Sequence, residues 1–278
     1  MTKDVCILMH RLTEKQDLTS WAVTHMAEAW RSEGLDVEIL FGTDRFVEAR
    51  VLFLHVDLTV VPDEYLEFAG RYPVTVNGRV KDIRKSRISR NLVRPGDGYG
   101  GQVIVKADLN CAGKAERLFA SRGATLETGV PRYPFPMRGQ QDYRIYERPE
   151  DVPPEYFHHP FLVVERFRPE IEGGLYYTRH YLFLGGISSA IRNGSPHPIV
   201  TGSSKTLTRE VEPHPEVVAL REKIGLDYGK IDYTVNGEEV TVFDVNKTPG
   251  AFNPPSSPVI AALRRRRAAG IHGFLRVR

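Results

Sequence analysis

The 278-residue sequence predicts a mixed α/β, or α+β, fold. Its first quarter alternates strand-like and helix-like segments, its middle is rich in short apolar strands, and helix-forming segments lie at both ends. Strand–helix–strand alternation is typical of a parallel α/β unit, whereas strands joined by glycine turns are typical of antiparallel hairpins. We therefore expect a small parallel α/β domain over residues 1–76 and a larger, strand-rich domain over residues 77–278.

The small domain is predicted from three apolar runs and one helix. Strands are expected at residues 5–9, 37–41 and 51–56. The polar residues 17–20 can cap a helix between the first two strands, and Gly34 ends it.

The larger domain is predicted mainly from hairpins. One forms around Gly185-Gly186 and another around Asn236-Gly237, a pair typical of tight hairpin turns. The remaining elements are strands at 102–106 and 161–165, helices at 115–122 and 215–224, and a basic segment with helical spacing at 81–92. The glycine-rich stretch 94–101 favours a linker over a phosphate cradle, because no strand precedes it.

Composition and charge exclude several classes of protein. A net charge of +3 is too small for a typical nucleic-acid binder, although it suits an anionic substrate such as a nucleotide. The four arginines at 264–267 are interpreted as a solvated helix face rather than a nucleic-acid patch. Two cysteines cannot form a disulfide framework, and no apolar run could span a bilayer. We expect a cytoplasmic protein without membrane or nucleic-acid partners.

The strongest chemical signal is a set of three oxygen-bearing side chains. Asp244 and Asn246 lie two residues apart on a predicted strand and therefore point to one face, and Asp232 lies on the partner strand. Carboxylate and amide oxygens are ligands suited to Mg²⁺. Each residue alone is better explained as part of a polar strand face, with Asn246 capping a turn before Pro249. The whole pattern favours a metal site.

This site depends on the register of the hairpin. With a strict two-residue turn at Asn236-Gly237, Asp232 pairs with residue 241, and Asp244 and Asn246 lie on the opposite face. The three side chains share a face if Asp232 lies opposite residue 242. The metal hypothesis therefore predicts a three-residue loop or a β-bulge, and a regular two-residue hairpin would contradict it.

The run from Asp232 through Asp244, Asn246 and Pro249-Gly250 resembles the magnesium motif of ATP-grasp enzymes, especially the ribosomal-protein S6 glutamate-ligase and D-alanine–D-alanine ligase branch. The family usually has Glu where this chain has Asp244. The resemblance implies an ATP-grasp fold preceded by a small parallel α/β domain, with the nucleotide between lobes 102–165 and 166–278. It covers roughly residues 77–250, and only residues 229–250 are highly specific.

The same resemblance implies roles for residues that bind the nucleotide. Lys85 and Lys106 are similar to the family lysines that hold the phosphates, with Lys81 or Arg84 as alternatives to Lys85. Glu165 lies in a segment similar to the hinge strand and would meet the adenine.

Further residues are implied near the transferred phosphate. Arg179 and Arg192 are similar to the arginine pair that approaches the γ-phosphate and the acyl-phosphate, which implies a catalytic role. Lys205 would add positive charge nearby. Segment 108–114 departs from the family, because it contains a single glycine where a glycine-rich lid is common.

The function implied by the resemblance is carboxylate–amine ligation. ATP would activate a carboxylate to an acyl-phosphate, and an amine would then displace phosphate. The implied cofactors are ATP and Mg²⁺, with Mn²⁺ as an alternative, and the substrates are small-molecule or peptide carboxylates and amines. Homo-oligomer formation is left open. A small-molecule kinase and a non-catalytic nucleotide-binding module remain alternatives.

His10, Arg11 and His55 follow predicted strands and are candidates for substrate contacts.

Overall fold

A computed structural model describes residues 2–131, 135–251 and 258–277. The strands are β1 (Lys3–Met9), β2 (Val37–Phe41), β3 (Ala49–Leu54), β4 (Thr75–Val76), β5 (Val103–Ala107), β6 (Arg144–Tyr146), β7 (Leu162–Arg166), β8 (Glu170–Glu172), β9 (Leu175–Leu184), β10 (Ile187–Ser195), β11 (Leu207–Val211), β12 (Tyr228–Asn236) and β13 (Glu239–Asn246). The helices are α1 (Ala22–Ser32), α2 (Asp63–Ala69), α3 (Lys85–Ile88), α4 (Lys114–Ser121), α5 (Pro154–Phe157), α6 (Pro215–Ile224), α7 (Pro258–Ala268) and α8 (Ile271–Leu275).

The first sheet is parallel, with strand order β2-β1-β3-β4. Val5 in β1 packs in the core with Trp30 of α1, while Leu8 packs on the other side with Tyr65 of α2. A strand covered on both faces needs apolar residues at successive positions, which is why β1 is a continuous apolar run. The predicted strand–helix–strand unit is confirmed.

The C-terminal helices return to this first sheet. Ile271 and Leu275 of α8 lie in the same core cluster as Val5, and the indole nitrogen of Trp30 donates to the Ala268 carbonyl at 2.8 Å. The last described helices therefore cover the strands that begin the chain. The boundary at residue 76 stays a prediction.

Two antiparallel sheets form the rest of the described strands. One has six strands in the order β11-β10-β9-β12-β13, with β8 also paired to β9, and the other has the order β6-β5-β7. Both predicted hairpins, β9–β10 and β12–β13, are confirmed. The overall class, mixed α/β with parallel and antiparallel sheets, agrees with the prediction.

Two predicted segments differ from expectation. The basic segment 81–92 is helical only at α3, and Arg84 and Ser89 on either side of it have extended ψ angles. The glycine-rich stretch 94–101 is mostly exposed and contains left-handed turns at Gly96 and Gly98. None of the described helices is both long and apolar enough to cross a membrane.

Candidate active site

The β12–β13 hairpin closes with a short loop. Asn236 pairs with Glu239, so residues 237–238 form the two-residue loop, one position later than predicted. The ladder is regular from this loop to Tyr233, which lies opposite Val242.

A β-bulge then brings the two aspartates together. Asp232 lies directly opposite Asp244, so Phe243 is the additional residue on β13. Residues directly opposite each other in an antiparallel pair point to the same face of the sheet. The predicted bulge is therefore confirmed, and Asp232, Asp244 and Asn246 share a face.

The two aspartates bind cationic side chains of the protein itself. Lys85 Nζ lies 2.9 Å from Asp244 Oδ1, and Lys230 Nζ lies 2.8 Å from Asp232 Oδ2. His180 Nδ1 lies 2.6 Å from the other oxygen of Asp232. Burial alone would raise the pKa of Asp232, but Lys230 and His180 lower it well below its usual range. Asp232 is therefore held ionised beside the ammonium group of Lys230.

Lys106, the penultimate residue of β5, lies beside the bulge. Its ammonium donates to the Phe243 carbonyl at 2.8 Å and forms an ion pair with Glu165. Both side chains are almost completely buried. Burial lowers the pKa of Lys106, although Glu165 partly opposes that shift. The additional residue of the bulge thus provides the carbonyl that positions this lysine.

Asp232, Asp244 and Lys106 face a cavity of ≈ 320 Å³ between the three-stranded and six-stranded sheets. Its charged lining residues include more cations than carboxylates: Lys85, Lys106, Lys205, Lys230, Asp232, Asp244, Arg264 and Arg267. His180 lines it as well. Apolar walls come from Ile104, Phe167 and Phe243, and the two phenylalanine rings lie 6.2 Å apart. A cavity with apolar walls and an excess of positive charge suits an anionic ligand with a flat ring.

Comparison with known proteins identifies the architecture. No protein-family model and no curated protein sequence matches the chain. Solved structures do match: a D-alanine–D-alanine ligase from Bacillus anthracis superposes with a TM-score of 0.50 at 13% identity, covering 99% of this chain and 96% of that one. The chain has the ATP-grasp fold. The same ligase complexed with ATP matches with a TM-score of 0.50 at 12% identity, covering 99% of this chain and 96% of that one.

A second ATP-grasp protein matches along its whole length. The ligase PsnB, in a complex with minimal precursor, Mg and ADP, superposes with a TM-score of 0.50 at 13% identity, covering 99% of each chain. The predicted ATP-grasp architecture is thus confirmed as a fold.

Within this ATP-grasp cavity, several predicted residues meet. Lys85, Lys106 and Lys205 line it together with Asp232 and Asp244. Lys85 makes the direct contact with Asp244. Lys81 instead pairs with Asp63, and Arg84 with Asp82.

Arg179 and Arg192 do not reach the cavity. They lie opposite each other on β9 and β10 and point away from the face that carries His180 and Ile191. Both bind Glu170, at 2.8 Å and 2.6 Å, and Arg192 also binds Glu172. The resemblance placed these arginines by their order in the sequence, but side chains alternate between faces along a strand. We therefore do not retain their predicted catalytic role.

Other predicted site residues also make contacts that differ from those expected. Glu165 is 1% exposed behind Lys106 and does not line the cavity. Asn246 Oδ1 accepts a hydrogen bond from the Thr248 amide at 2.8 Å, which is the turn-capping role considered as its alternative. His10 stacks on Phe119, and Arg11 pairs with Glu64, so neither lies at the cavity.

The strained segment after β5 takes the place expected for a glycine-rich lid. Cys111, Ala112 and Gly113 have φ angles of +46°, +55° and +70°. Consecutive left-handed residues are costly for side chains other than glycine. Burial raises the pKa of the Cys111 thiol to about 11, and Asp244 contributes in the same direction. The turn therefore lies within electrostatic reach of Asp244.

The cavity also contains residues that were not identified from the sequence, among them Lys230, His180 and Arg267. Lys230 precedes Asp232 by two residues on one strand, so alternation could have placed both on one face. His180 meets Asp232 only through the long-range pairing of β9 with β12. Arg267 belongs to the run interpreted as solvated, yet it is only 6% exposed, unlike Arg265 and Arg266.

The donor set fits a magnesium ion with few protein ligands. Mg²⁺ commonly binds one or two carboxylates together with substrate phosphates and water, and Asp232 and Asp244 provide that pair. Among the described residues, no group of three or more His, Cys, Asp or Glu could form a metal cage. Lys85 and Lys230 contact the two carboxylates in this structure. For the ion to bind, each lysine would have to release a carboxylate oxygen.

Proposed function

We propose that this protein is an ATP-dependent carboxylate–amine ligase. It would form an amide or peptide bond through an acyl-phosphate and release ADP and phosphate. The observation that carries the proposal is the pair Asp232 and Asp244, which lie opposite each other across a bulge and face a cavity rich in lysine. The fold supports it, since a ligase of the same fold is known with ATP and another with Mg and ADP.

The nucleotide would lie between the lobes 102–165 and 166–278. Residues of both lobes line the cavity, including Ile104 from the first and Phe167 and Phe243 from the second. The apolar walls suit the base, whereas Lys85, Lys106 and Lys230 suit the phosphates. Because the ammonium groups already lie near the carboxylates, little rearrangement is needed to bring phosphate between them.

Asp232 and Asp244 would hold Mg²⁺ or Mn²⁺. Such an ion would offset the negative charge that develops during phosphoryl transfer. With an ion held by the two aspartates, Lys85 and Lys230 would be free to contact phosphate oxygens. Asn246 would support the site by holding the turn through Thr248.

In the first step, a substrate carboxylate oxygen would attack the γ-phosphorus, and ADP would leave with the electrons of the broken P–O bond. In the second step, the amine nitrogen would attack the acyl carbon, and phosphate would leave as the amine loses a proton. Lys230 and His180, both facing the cavity, would stabilise the negative charge that develops in these steps.

Thermal unfolding with ATP, with and without Mg²⁺, tests nucleotide and metal binding. At a ligand concentration of ~100 times the dissociation constant, the folded state should gain about 2.7 kcal/mol. We expect a magnesium-dependent shift in the wild type that Asp244→Asn largely loses. Glu238→Gln is the matched control, because it removes an exposed carboxylate from the same hairpin.

Phosphate release then tests the reaction class. A ligase supplied with a suitable acid and amine releases phosphate and ADP in equal amounts, whereas a kinase releases ADP alone. Release of ADP without phosphate would favour the kinase. A wild type that gains no stability with any nucleotide would contradict the proposed function.

A further inference from the structure

Arg267 is a buried cation without a partner in the described part of the chain. It is 6% exposed and lines the cavity, and its guanidinium makes no hydrogen bond or ion pair with a described residue. Arginine stays charged in proteins, and an uncompensated buried charge is costly. Such a side chain is retained at little net cost when a ligand supplies the opposite charge.

Arg267 lies at a different part of the cavity from the carboxylate pair. The neighbouring Arg266 donates to the Ser188 carbonyl at 3.0 Å, which fixes this end of α7 against β10. Ser189, next along β10, lies opposite Leu182, which lies opposite Lys230. Ser189 is therefore two strand spacings, about 10 Å, from Lys230.

Ser189 provides a second polar group without a partner. It lines the cavity, is 4% exposed, and its hydroxyl has no hydrogen bond to any residue within 2–131, 135–251 or 258–277. Buried hydroxyl groups are normally hydrogen-bonded. An anion that accepts from both Ser189 and Arg267 would satisfy both groups at once.

We propose that Arg267 and Ser189 bind a substrate carboxylate that is not the one activated. This inference rests on the proposed function. The three lysines near Asp232 and Asp244 suffice for the phosphates, so a separate cation implies a separate anion. A planar guanidinium matches the two oxygens of a carboxylate, and the adjoining Leu182 and Leu263 suit a methylene chain. The acid substrate would therefore be a dicarboxylate, either a free acid or a peptide.

Binding of glutarate, L-glutamate and the dipeptide glycyl-glutamate tests the site. Their dissociation constants are measured by calorimetry for the wild type, Arg267→Met and Arg265→Met. We expect at least one probe to bind the wild type and Arg265→Met equally, and Arg267→Met at least about tenfold more weakly. The control is matched, because Arg265 lies on the same helix but is exposed. If no probe binds the wild type more tightly than Arg267→Met, the inference is wrong.

Stability without ligand separates binding from a structural role. Because Arg267 has no described partner, Arg267→Met should unfold at the same temperature as the wild type or higher. A lower unfolding temperature would mean that Arg267 holds the fold together, and it would overturn the inference.

Binding of ATP with Mg²⁺ separates this inference from the proposed function. Arg267→Met should keep the full nucleotide-induced shift of the wild type, since the phosphates bind elsewhere. Loss of that shift would assign Arg267 to the nucleotide site and overturn the inference. If the wild type itself shows no nucleotide shift while a probe still binds through Arg267, the ligase proposal fails and the carboxylate site stands.

Discussion

The two faces of the six-stranded sheet both carry buried charge, but they balance it differently. On the face away from the cavity, Arg179 and Arg192 share Glu170, and Arg192 also reaches Glu172. On the cavity face, the carboxylates Asp232 and Asp244 meet a larger number of cations. The first face is satisfied by its own residues, whereas the second has positive charge left for a ligand.

This difference separates structural from functional charge. Arg179 and His180 are neighbours in the sequence, yet alternation along β9 puts one with Glu170 and the other with Asp232. Neither residue type nor position near a hairpin distinguishes the two roles. The balance of charge on each face distinguishes structural from functional residues. This balance can be tested by removing one charge at a time.

The largest effect is expected on the balanced face. Burial favours the neutral form of Glu170, but its bonds with Arg179 and the Val235 amide hold the pKa of this carboxyl below its usual range. Glu170→Gln leaves the buried Arg192 with the exposed Glu172 as its remaining acidic partner among the described residues. We expect the free energy of unfolding in urea to fall by about 3 kcal/mol. Nucleotide-induced stabilisation should be unchanged.

Glu172→Gln serves as the control for that variant. Glu172 also binds Arg192, but its side chain is 62% exposed, and an exposed ion pair contributes under about 1 kcal/mol. Equal losses of stability in the two variants would mean that burial does not set the strength of these pairs.

An intermediate effect is expected when one cation is removed from each face. Burial disfavours the charged form of Lys85, but Asp244 raises its pKa above the usual value, so the ammonium is available to phosphate. We expect Lys85→Met to weaken ATP binding by about 2 kcal/mol, or roughly 30-fold. Arg179→Met should leave the calorimetric dissociation constant for ATP unchanged. An Arg179→Met variant that loses ATP binding would return this arginine to the active site.

The smallest effect comes from a group that lies on neither face. His55 packs between Trp21 and Tyr228, and burial lowers its pKa to about 3. The unfolded chain takes up a proton below pH 6.5, whereas the folded chain does not, so stability falls as the pH is lowered. From pH 6.5 to 5 the loss attributable to His55 should be about 1.5 kcal/mol.

His55→Phe should remove that part of the pH dependence. Neither ring nitrogen of His55 has a hydrogen-bond partner among the described residues, so an apolar ring leaves no polar group unpaired. Urea unfolding at pH 5, 6 and 7 measures the slope. His10, whose pKa burial lowers to about 4, keeps its own contribution in the variant. An unchanged slope would show that His55 is not the titrating group.

Local signals in the sequence predicted much of the fold. The bounds of β2 and α6 agree with those predicted, because each is set by a nearby apolar pattern and turn. The start of α1 was less accurate. Asp17 caps only a local turn at Thr19, and the helix begins at Ala22, where the amide bonds to the Pro249 carbonyl. A contact between residues more than 200 positions apart leaves no local signal.

The candidate site was predictable only as far as its local geometry. Requiring Asp232 and Asp244 to share a face predicted a three-residue loop or a bulge, and the hairpin contains the bulge. The face taken by Arg179 and Arg192 depends on the pairing of β9 with β12, which the sequence does not specify. Arg267 was missed for a similar reason, since the burial of α7 depends on the first sheet.

Phe243, the additional residue at the bulge, makes this hairpin sensitive to changes in its length. Deleting it would restore a regular ladder in which Asp244 still lies opposite Asp232, but Lys106 would lose the carbonyl that positions it. Lengthening the 237–238 loop would change neither the pairing of the two acids nor that carbonyl, because both lie beyond the regular part of the ladder. Among related chains, insertions should therefore collect in this loop, and single-residue gaps should be missing between Val242 and Asp244.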